Sequence, residues 1–154
     1  MAKAPHILVV EAPYYLEIAE ALWRGAAAEL EHARATWERR AVPGAFEIPA
    51  AIRFALEAEA ARGGARTFDG FVALGCVIRG ETSHYELVCE ACAQGLQSLA
   101  VAHALALGFG VLSCETLEQA RARSAPGPAN KGAEAVRACL AMLELKRDFR
   151  PVSR

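Results

Sequence analysis

The segment FVALGCVI, residues 71–78, restricts the fold of this chain more than any other feature, because its apolar residues follow one another almost without interruption. A strand with one face in water alternates apolar and polar residues, whereas a strand covered on both faces shows a continuous run. Sheets covered on both faces consist mainly of parallel strands, which need crossover connections that are usually helices. We therefore predict a central strand in a parallel sheet with helices on both sides.

The rest of the chain alternates strand and helix patterns, as such a sheet requires. Strand patterns cover residues 6–10, 36–42, 71–78 and 111–114. Helical spacing covers residues 15–33, 49–62, 83–107, 117–124 and 130–147. The sequence thus predicts one α/β domain over residues 1–154, a three-layer sandwich with a central, mostly parallel four-stranded sheet of the flavodoxin-like kind.

The charge and composition limit the partners of the chain. Its 17 basic and 18 acidic residues are mixed and leave a net charge of -1, which offers neither nucleic acid nor an anionic membrane a basic surface. The apolar content of 54% exceeds the usual range and indicates that partner subunits cover some surface. The start of the chain shows no signal-peptide pattern, and residues 99–112 are too short to span a bilayer, so we expect a cytoplasmic protein.

Five cysteines are scattered among apolar neighbours, an odd number that favours reduced thiols over a disulfide framework. Cys89 and Cys92 form a Cys-x-x-Cys pair inside a helical pattern, with no second pair elsewhere. This setting favours core filling over a redox or zinc role. We expect no metal and no cofactor.

The segment GCVIRGETSHYE, residues 75–86, lies where the central strand gives way to a helix. Gly80 permits tight backbone geometry, and the following amides, the Thr82 hydroxyl and the positive end of the helix make an anion site suited to a phosphate ester. Ser83 and Glu86 alternatively form a capping box, which needs no ligand. Both interpretations stay open at this point.

His84 falls in the first turn of this helix, where the helix dipole disfavours the imidazolium and keeps a neutral ring available as a base. A surface histidine without a catalytic role fits the same position. The three other histidines lack such a setting, and we interpret them as surface or packed residues.

Three further candidate functional residues lie at the ends of predicted strands or helices. The loop PGAFEIP, residues 43–49, holds Glu47, which either binds a polyol or simply begins a helix favourably. Lys131 opens the last helix behind the predicted N-cap Asn130, the unfavourable end for a cation, and a residue placed against local preference is a candidate for function. Arg123 ends a helix, where a structural role suffices unless the fold brings it near the anion site.

The strings VPGAFEIP, GCVIRGETSHYE and NKGAEA resemble the lumazine synthase family in order, spacing and wording over nearly the whole chain. The resemblance implies roles position by position. His84 corresponds to the proton-transfer residue, and the phosphate site corresponds to Gly80, Glu81, Thr82 and Arg123. The pyrimidine and ribityl site corresponds to Tyr14, Ala45, Phe46, Glu47, Val77, Ile78, Phe109, Lys131 and Glu134, with Tyr14 stacking on the ring and Phe109 reaching a neighbouring subunit.

The resemblance further implies pentamers, or assemblies of pentamers, with each site between two subunits. It implies two small-molecule substrates, 5-amino-6-ribitylaminouracil and 3,4-dihydroxy-2-butanone 4-phosphate, which condense to 6,7-dimethyl-8-ribityllumazine in riboflavin biosynthesis. A non-catalytic flavin or lumazine carrier and a shell-forming protein of the same fold are the alternatives. An electron carrier would need a hydroxyl-rich loop after the first strand and a signalling receiver would need clustered acids there, and residues 11–14 provide neither.

Overall fold

The computed structural model describes residues 3–150, which form a three-layer α/β sandwich around a parallel sheet. The predicted domain, residues 1–154, extends beyond these residues at both ends. The strands are β1 (His6–Glu11), β2 (Thr36–Ala41), β3 (Gly70–Ile78) and β4 (Leu107–Cys114). The helices are α1 (Leu16–His32), α2 (Ile48–Ala61), α3 (His84–His103), α4 (Leu117–Ser124) and α5 (Lys131–Asp148), and a 3-10 turn, Ala45–Glu47, precedes α2.

The strand order within the described residues is β2-β1-β3-β4, with all pairs parallel. β3 pairs on both sides, and its residues from Gly70 to Cys76 are buried. Phe71 and Ala73 pack in the cluster that contains α2 and α3, whereas Val72 and Leu74 pack in the cluster that contains α1 and α5. The predicted covered strand in a parallel sheet is confirmed.

Local signals placed several helix ends correctly. Gly63 and Gly64 adopt φ values of 87° and 79° just after α2, a left-handed conformation that favours glycine. Asn130 caps α5, since its side-chain oxygen accepts a hydrogen bond from the Ala133 amide at 3.1 Å. None of the helices within residues 3–150 is both long and apolar enough to cross a membrane.

The predicted boundary between α3 and β4 was wrong. We expected a helix over residues 83–107 and a strand over 111–114, but α3 ends at His103 and β4 begins at Leu107. Ala104 takes a left-handed φ of 51°, after which Leu105 turns back into the core and the chain joins the sheet. The apolar stretch continues across this turn, and hydrophobicity alone does not separate a buried helix end from a buried strand.

Candidate active site

A cavity of about 590 Å³ opens at the carboxyl ends of β1, β2 and β3. Its lining comes from the loop after β1, the loop after β2, the end of β3 and the first turns of α3. The lining residues are Tyr14, Tyr15, Pro43, Gly44, Ala45, Phe46, Glu47, Cys76, Val77, Ile78, His84, Leu87 and Val88.

The strand order explains why a crevice forms there. The chain leaves β1 for α1 on one face of the sheet and leaves the neighbouring strand β3 for α3 on the opposite face. The two connections diverge, so the ends of β1 and β3 border an open crevice, which is where ligands bind in open α/β sheets.

Seven of the predicted site residues meet in this crevice. Tyr14 and Phe46 present aromatic rings that are 73% and 60% exposed, an arrangement available to a planar ligand. The remaining five are Ala45, Glu47, Val77, Ile78 and His84.

Glu47 is the N-cap residue of α2, but its side chain makes no capping hydrogen bond with the described residues. A side chain on Gly44 would meet the Glu47 Oε2 atom at 3.2 Å, so the carboxylate lies beside the Gly44 backbone at the crevice wall. The carboxylate thus remains available to accept hydrogen bonds from ligand hydroxyl groups.

The start of α3 does not form the capping box. Ser83 makes no side-chain capping bond with any described residue, and the Glu86 carboxylate pairs with Arg79 instead. The His84 amide donates a hydrogen bond to the Thr82 Oγ1 atom at 3.3 Å, which leaves the Thr82 hydroxyl proton available for a ligand.

The conformational role expected of Gly80 was wrong. Its φ is outside the left-handed region, and an added Cβ would meet no described atom within 4 Å. The glycine therefore leaves the backbone of an exposed loop open to approach rather than permitting an unusual turn.

Seven predicted residues lie outside the cavity lining of a single chain. Three of them, Gly80, Glu81 and Thr82, form the exposed loop just before His84. Phe109 lies on the outer strand β4 with 51% of its surface exposed. The other three are Arg123 at the end of α4 and the pair Lys131 and Glu134, whose Nζ and Oε2 atoms are 2.7 Å apart in the first turn of α5.

Arg123, at the end of α4, differs electrostatically from Arg79, which directly follows β3. No described carboxylate lies within 4 Å of Arg123, whereas Arg79 pairs with both Glu86 and Glu115. Burial raises the pKa of the Cys114 thiol, and Arg123 opposes that rise, which places the guanidinium near the carboxyl end of β4. Arg123 thus keeps its charge available for an anion.

Six lining residues were absent from the prediction: Tyr15, Pro43, Gly44, Cys76, Leu87 and Val88. Leu87 and Val88 follow His84 by three and four positions, so helical spacing alone places them on its face. Burial and the neighbouring Cys114 raise the pKa of the Cys76 thiol to about 12, which makes Cys76 a wall residue rather than a nucleophile.

The cysteine interpretation agrees with the packing. Cys92 is completely buried among the apolar residues between α3 and the sheet, and burial raises the pKa of its thiol to about 11. Cys89 is partly buried, and its pKa is also raised by burial. Cys92 fills the core, as predicted.

The fold and the crevice together define an α/β protein with a ligand-sized cavity at the strand ends, lined by aromatic rings, a histidine and a carboxylate. The profile of the 6,7-dimethyl-8-ribityllumazine synthase family matches residues 4–147. The chain belongs to this family.

Individual relatives give the same result. The chain is 51% identical over 145 residues to 6,7-dimethyl-8-ribityllumazine synthase 1 of Rhizobium meliloti, covering 94% of each chain. It is 49% identical over 141 residues to 6,7-dimethyl-8-ribityllumazine synthase 1 of Rhodopseudomonas palustris, covering 92% of this chain and 85% of the relative. It is 46% identical over 149 residues to 6,7-dimethyl-8-ribityllumazine synthase of Bartonella tribocorum, covering 97% and 95%.

Proposed function

We propose that this chain condenses 5-amino-6-ribitylaminouracil with 3,4-dihydroxy-2-butanone 4-phosphate to 6,7-dimethyl-8-ribityllumazine, the penultimate step of riboflavin biosynthesis. The observation that carries the proposal is the single crevice in which His84, the Tyr14 ring and the 45–47 loop meet, in a chain of the synthase family. The reaction releases one inorganic phosphate and two waters.

The crevice matches the steps of this reaction. Attack of the amine on the ketone gives an imine and releases one water, and loss of a proton and then of phosphate gives an enol. The enol tautomerises to a ketone, and attack of the ribitylamino nitrogen on that carbonyl closes the ring with loss of a second water. His84 moves the protons, and its exposed position at the crevice leaves the ring accessible to both reactants. Tyr14 stacks on the pyrimidine, Val77 and Ile78 flank the heterocycle, and the Glu47 carboxylate accepts hydrogen bonds from the ribityl hydroxyl groups.

The phosphate group is assigned to the loop before α3 and to Arg123. Gly80, Glu81 and Thr82 present backbone amides and one hydroxyl beside the positive end of a 20-residue helix. Arg123, at the end of α4, forms no ion pair with a described carboxylate, and its guanidinium can stabilise the negative charge that develops on a leaving phosphate.

We assign Phe109, Arg123, Lys131 and Glu134 to the site of a neighbouring subunit in a homopentamer or an assembly of pentamers. This assignment is supported by their position outside the cavity of their own chain and by the exposed ring of Phe109. Several other large apolar side chains are also exposed in the single chain, as expected of surfaces covered by neighbours. They include Leu16, Phe54 and Val101, each more than 70% exposed. A cytoplasmic location fits the free cysteines of the described residues.

The decisive experiment mixes the purified protein with the two substrates and follows the fluorescent lumazine against the uncatalysed reaction. Acceleration that needs both substrates supports the synthase. Tight binding of the lumazine without acceleration indicates a carrier, and size-exclusion chromatography with light scattering separates pentamers from larger shells.

A further inference from the structure

Arg79 occupies the junction of three segments around the proposed phosphate loop. It is the first residue after β3, and its amide donates to the Cys114 carbonyl at 2.9 Å, which continues the pairing with β4. Its Nε atom donates to the Glu115 Oε2 atom at 2.8 Å, in the connection after β4. Its Nη1 atom donates to Glu86 in the first turn of α3.

An aromatic ring completes the environment of Arg79. The guanidinium carbon lies over the Tyr85 ring, 4.4 Å from its centroid, a cation–π contact made while both carboxylates bind the guanidinium nitrogens. Arg79 lowers the pKa of the Glu86 carboxyl, as expected of a close ion pair. A single exposed ion pair contributes little to stability. A guanidinium bound by two carboxylates and an aromatic ring, however, restricts the Arg79 side chain to one conformation.

This environment also decides what Arg79 does not do. The carboxylates of Glu86 and Glu115 offset the single positive charge of Arg79, so its guanidinium attracts a phosphate only weakly. Arg123, which pairs with no described carboxylate, is the better phosphate ligand. Arg79 is instead suited to hold the segments that it joins.

The loop that Arg79 holds, residues 80–83, makes few hydrogen bonds with other described residues. Residues 80–83 are exposed, and the hydrogen bond between the Thr82 Oγ1 atom and the His84 amide lies within the loop and the helix that it enters. The position of the loop therefore depends on its two ends, which are Arg79 at the end of β3 and the Glu86 turn of α3. Arg79 ties these ends to each other and to Glu115.

We propose that Arg79 is a positioning residue for the phosphorylated substrate, fixing the 80–82 loop through Glu86, Glu115 and Tyr85 without contacting the phosphate. The assignment rests on the proposed function of that loop. It predicts that loss of Arg79 weakens recognition of phosphate selectively, while the aromatic part of the crevice keeps its affinity.

Arg79→Met tests the proposal, with Arg53→Met as the matched control. Arg53 also joins an ion pair, with Glu57, and also contacts α3, but at His103 at the far end of the helix. The measurements are the KM for the butanone phosphate, the inhibition constant of inorganic phosphate and the Kd of 6,7-dimethyl-8-ribityllumazine, which carries no phosphate.

In Arg79→Met we expect the first two constants to rise about tenfold, because a small misplacement of binding groups is costly, while the lumazine Kd stays within about twofold. Arg53→Met is expected to change none of the three. Equal weakening of phosphate and lumazine, or no change in either, overturns the positioning role.

Arg79→Lys decides the question if Arg79→Met does not fold. Lysine keeps the charge but lacks the planar fork, so an inhibition constant for phosphate about threefold above the wild-type value is expected, with unchanged lumazine affinity. Wild-type values for both constants overturn the proposal. If the wild-type protein binds neither phosphate nor the lumazine, the proposed function is refuted as well. If the wild-type protein turns over the substrates and the Arg79 variants have the same constants, only the positioning role is refuted.

Discussion

The backbone amide of His84 donates a hydrogen bond to the Thr82 hydroxyl oxygen at 3.3 Å, so the proposed proton-transfer residue and the proposed phosphate loop share one turn. The bond uses the backbone of His84 and leaves the imidazole at the crevice. Side-chain replacement at His84 can therefore test chemistry separately from loop structure.

His84→Ala is expected to lower kcat by roughly tenfold to a thousandfold, the usual range for removing a general acid or base. The fold should survive, because the side chain is exposed and the amide bond to Thr82 is retained. Steady-state kinetics measure the effect, and circular dichroism checks the fold. His103→Ala, on the same helix, is the control and should retain full activity; an unchanged kcat in His84→Ala would remove His84 from the mechanism.

Coexpression of His84→Ala and Arg123→Ala chains tests whether two subunits share a site. If Arg123 serves a neighbour, random assembly leaves about a quarter of the sites with both residues intact, so the mixture should be more active than either variant alone. The assay compares mixed and separate assemblies at equal total protein. Arg121→Ala, on the same helix but paired with Glu17, is the control and should stay active. Absence of recovery in proven mixed assemblies would place both residues in one chain's site.

Two glycine substitutions should affect stability to very different extents. A Cβ on Gly108 would overlap the backbone carbonyl of Ala135, which cannot move without α5, so Gly108→Ala should lower the free energy of unfolding by about 1–3 kcal/mol. A Cβ on Gly80 would contact no described atom within 4 Å, and the φ of Gly80 lies outside the left-handed region. Gly80→Ala should therefore change the free energy of unfolding by less than about 0.5 kcal/mol. Urea titration measures both, and equal effects would contradict the packing of α5 on β4.

The buried thiols predict a loss of stability in alkali. Burial raises the pKa of Cys92 to about 11 and, with Cys114 nearby, that of Cys76 to about 12, whereas the unfolded thiols ionise near 9.0. The contribution of the protonated thiols is therefore complete below pH 9.0 and is lost as the pH rises through the folded pKa values. Urea unfolding from about pH 8 to about pH 11 should show this fall, with a smaller slope in Cys92→Ala. If the free energy of unfolding falls with pH equally steeply in the wild-type protein and in Cys92→Ala, ionisation of the Cys92 thiol does not cause the loss of stability.

Sequence reasoning succeeded where one local pattern had one physical meaning. The continuous apolar run of β3 indicated a strand covered on both faces, and Asn130 before the last helical pattern indicated the N-cap of α5. Sequence reasoning failed where the same apolar pattern fits either a helix or a strand. Apolar residues continue from α3 into β4, and only the left-handed turn at Ala104, stabilised by burial of Leu105, separates them.

The sequence by itself determined the layered parallel fold, the family and the residues that carry its motifs, because periodicity, glycine turns and helix caps act over a few neighbouring positions. Only the tertiary structure decided which of two partners a side chain takes. Ser83 and Glu86 fit a capping box by spacing, yet Glu86 pairs with Arg79, which lies seven positions earlier at the end of β3 and is brought to the first turn of α3 by the fold. Arg79 in turn reaches Glu115, 36 positions away, because β3 and β4 end side by side, and such contacts depend on the packing of the sheet rather than on any local pattern.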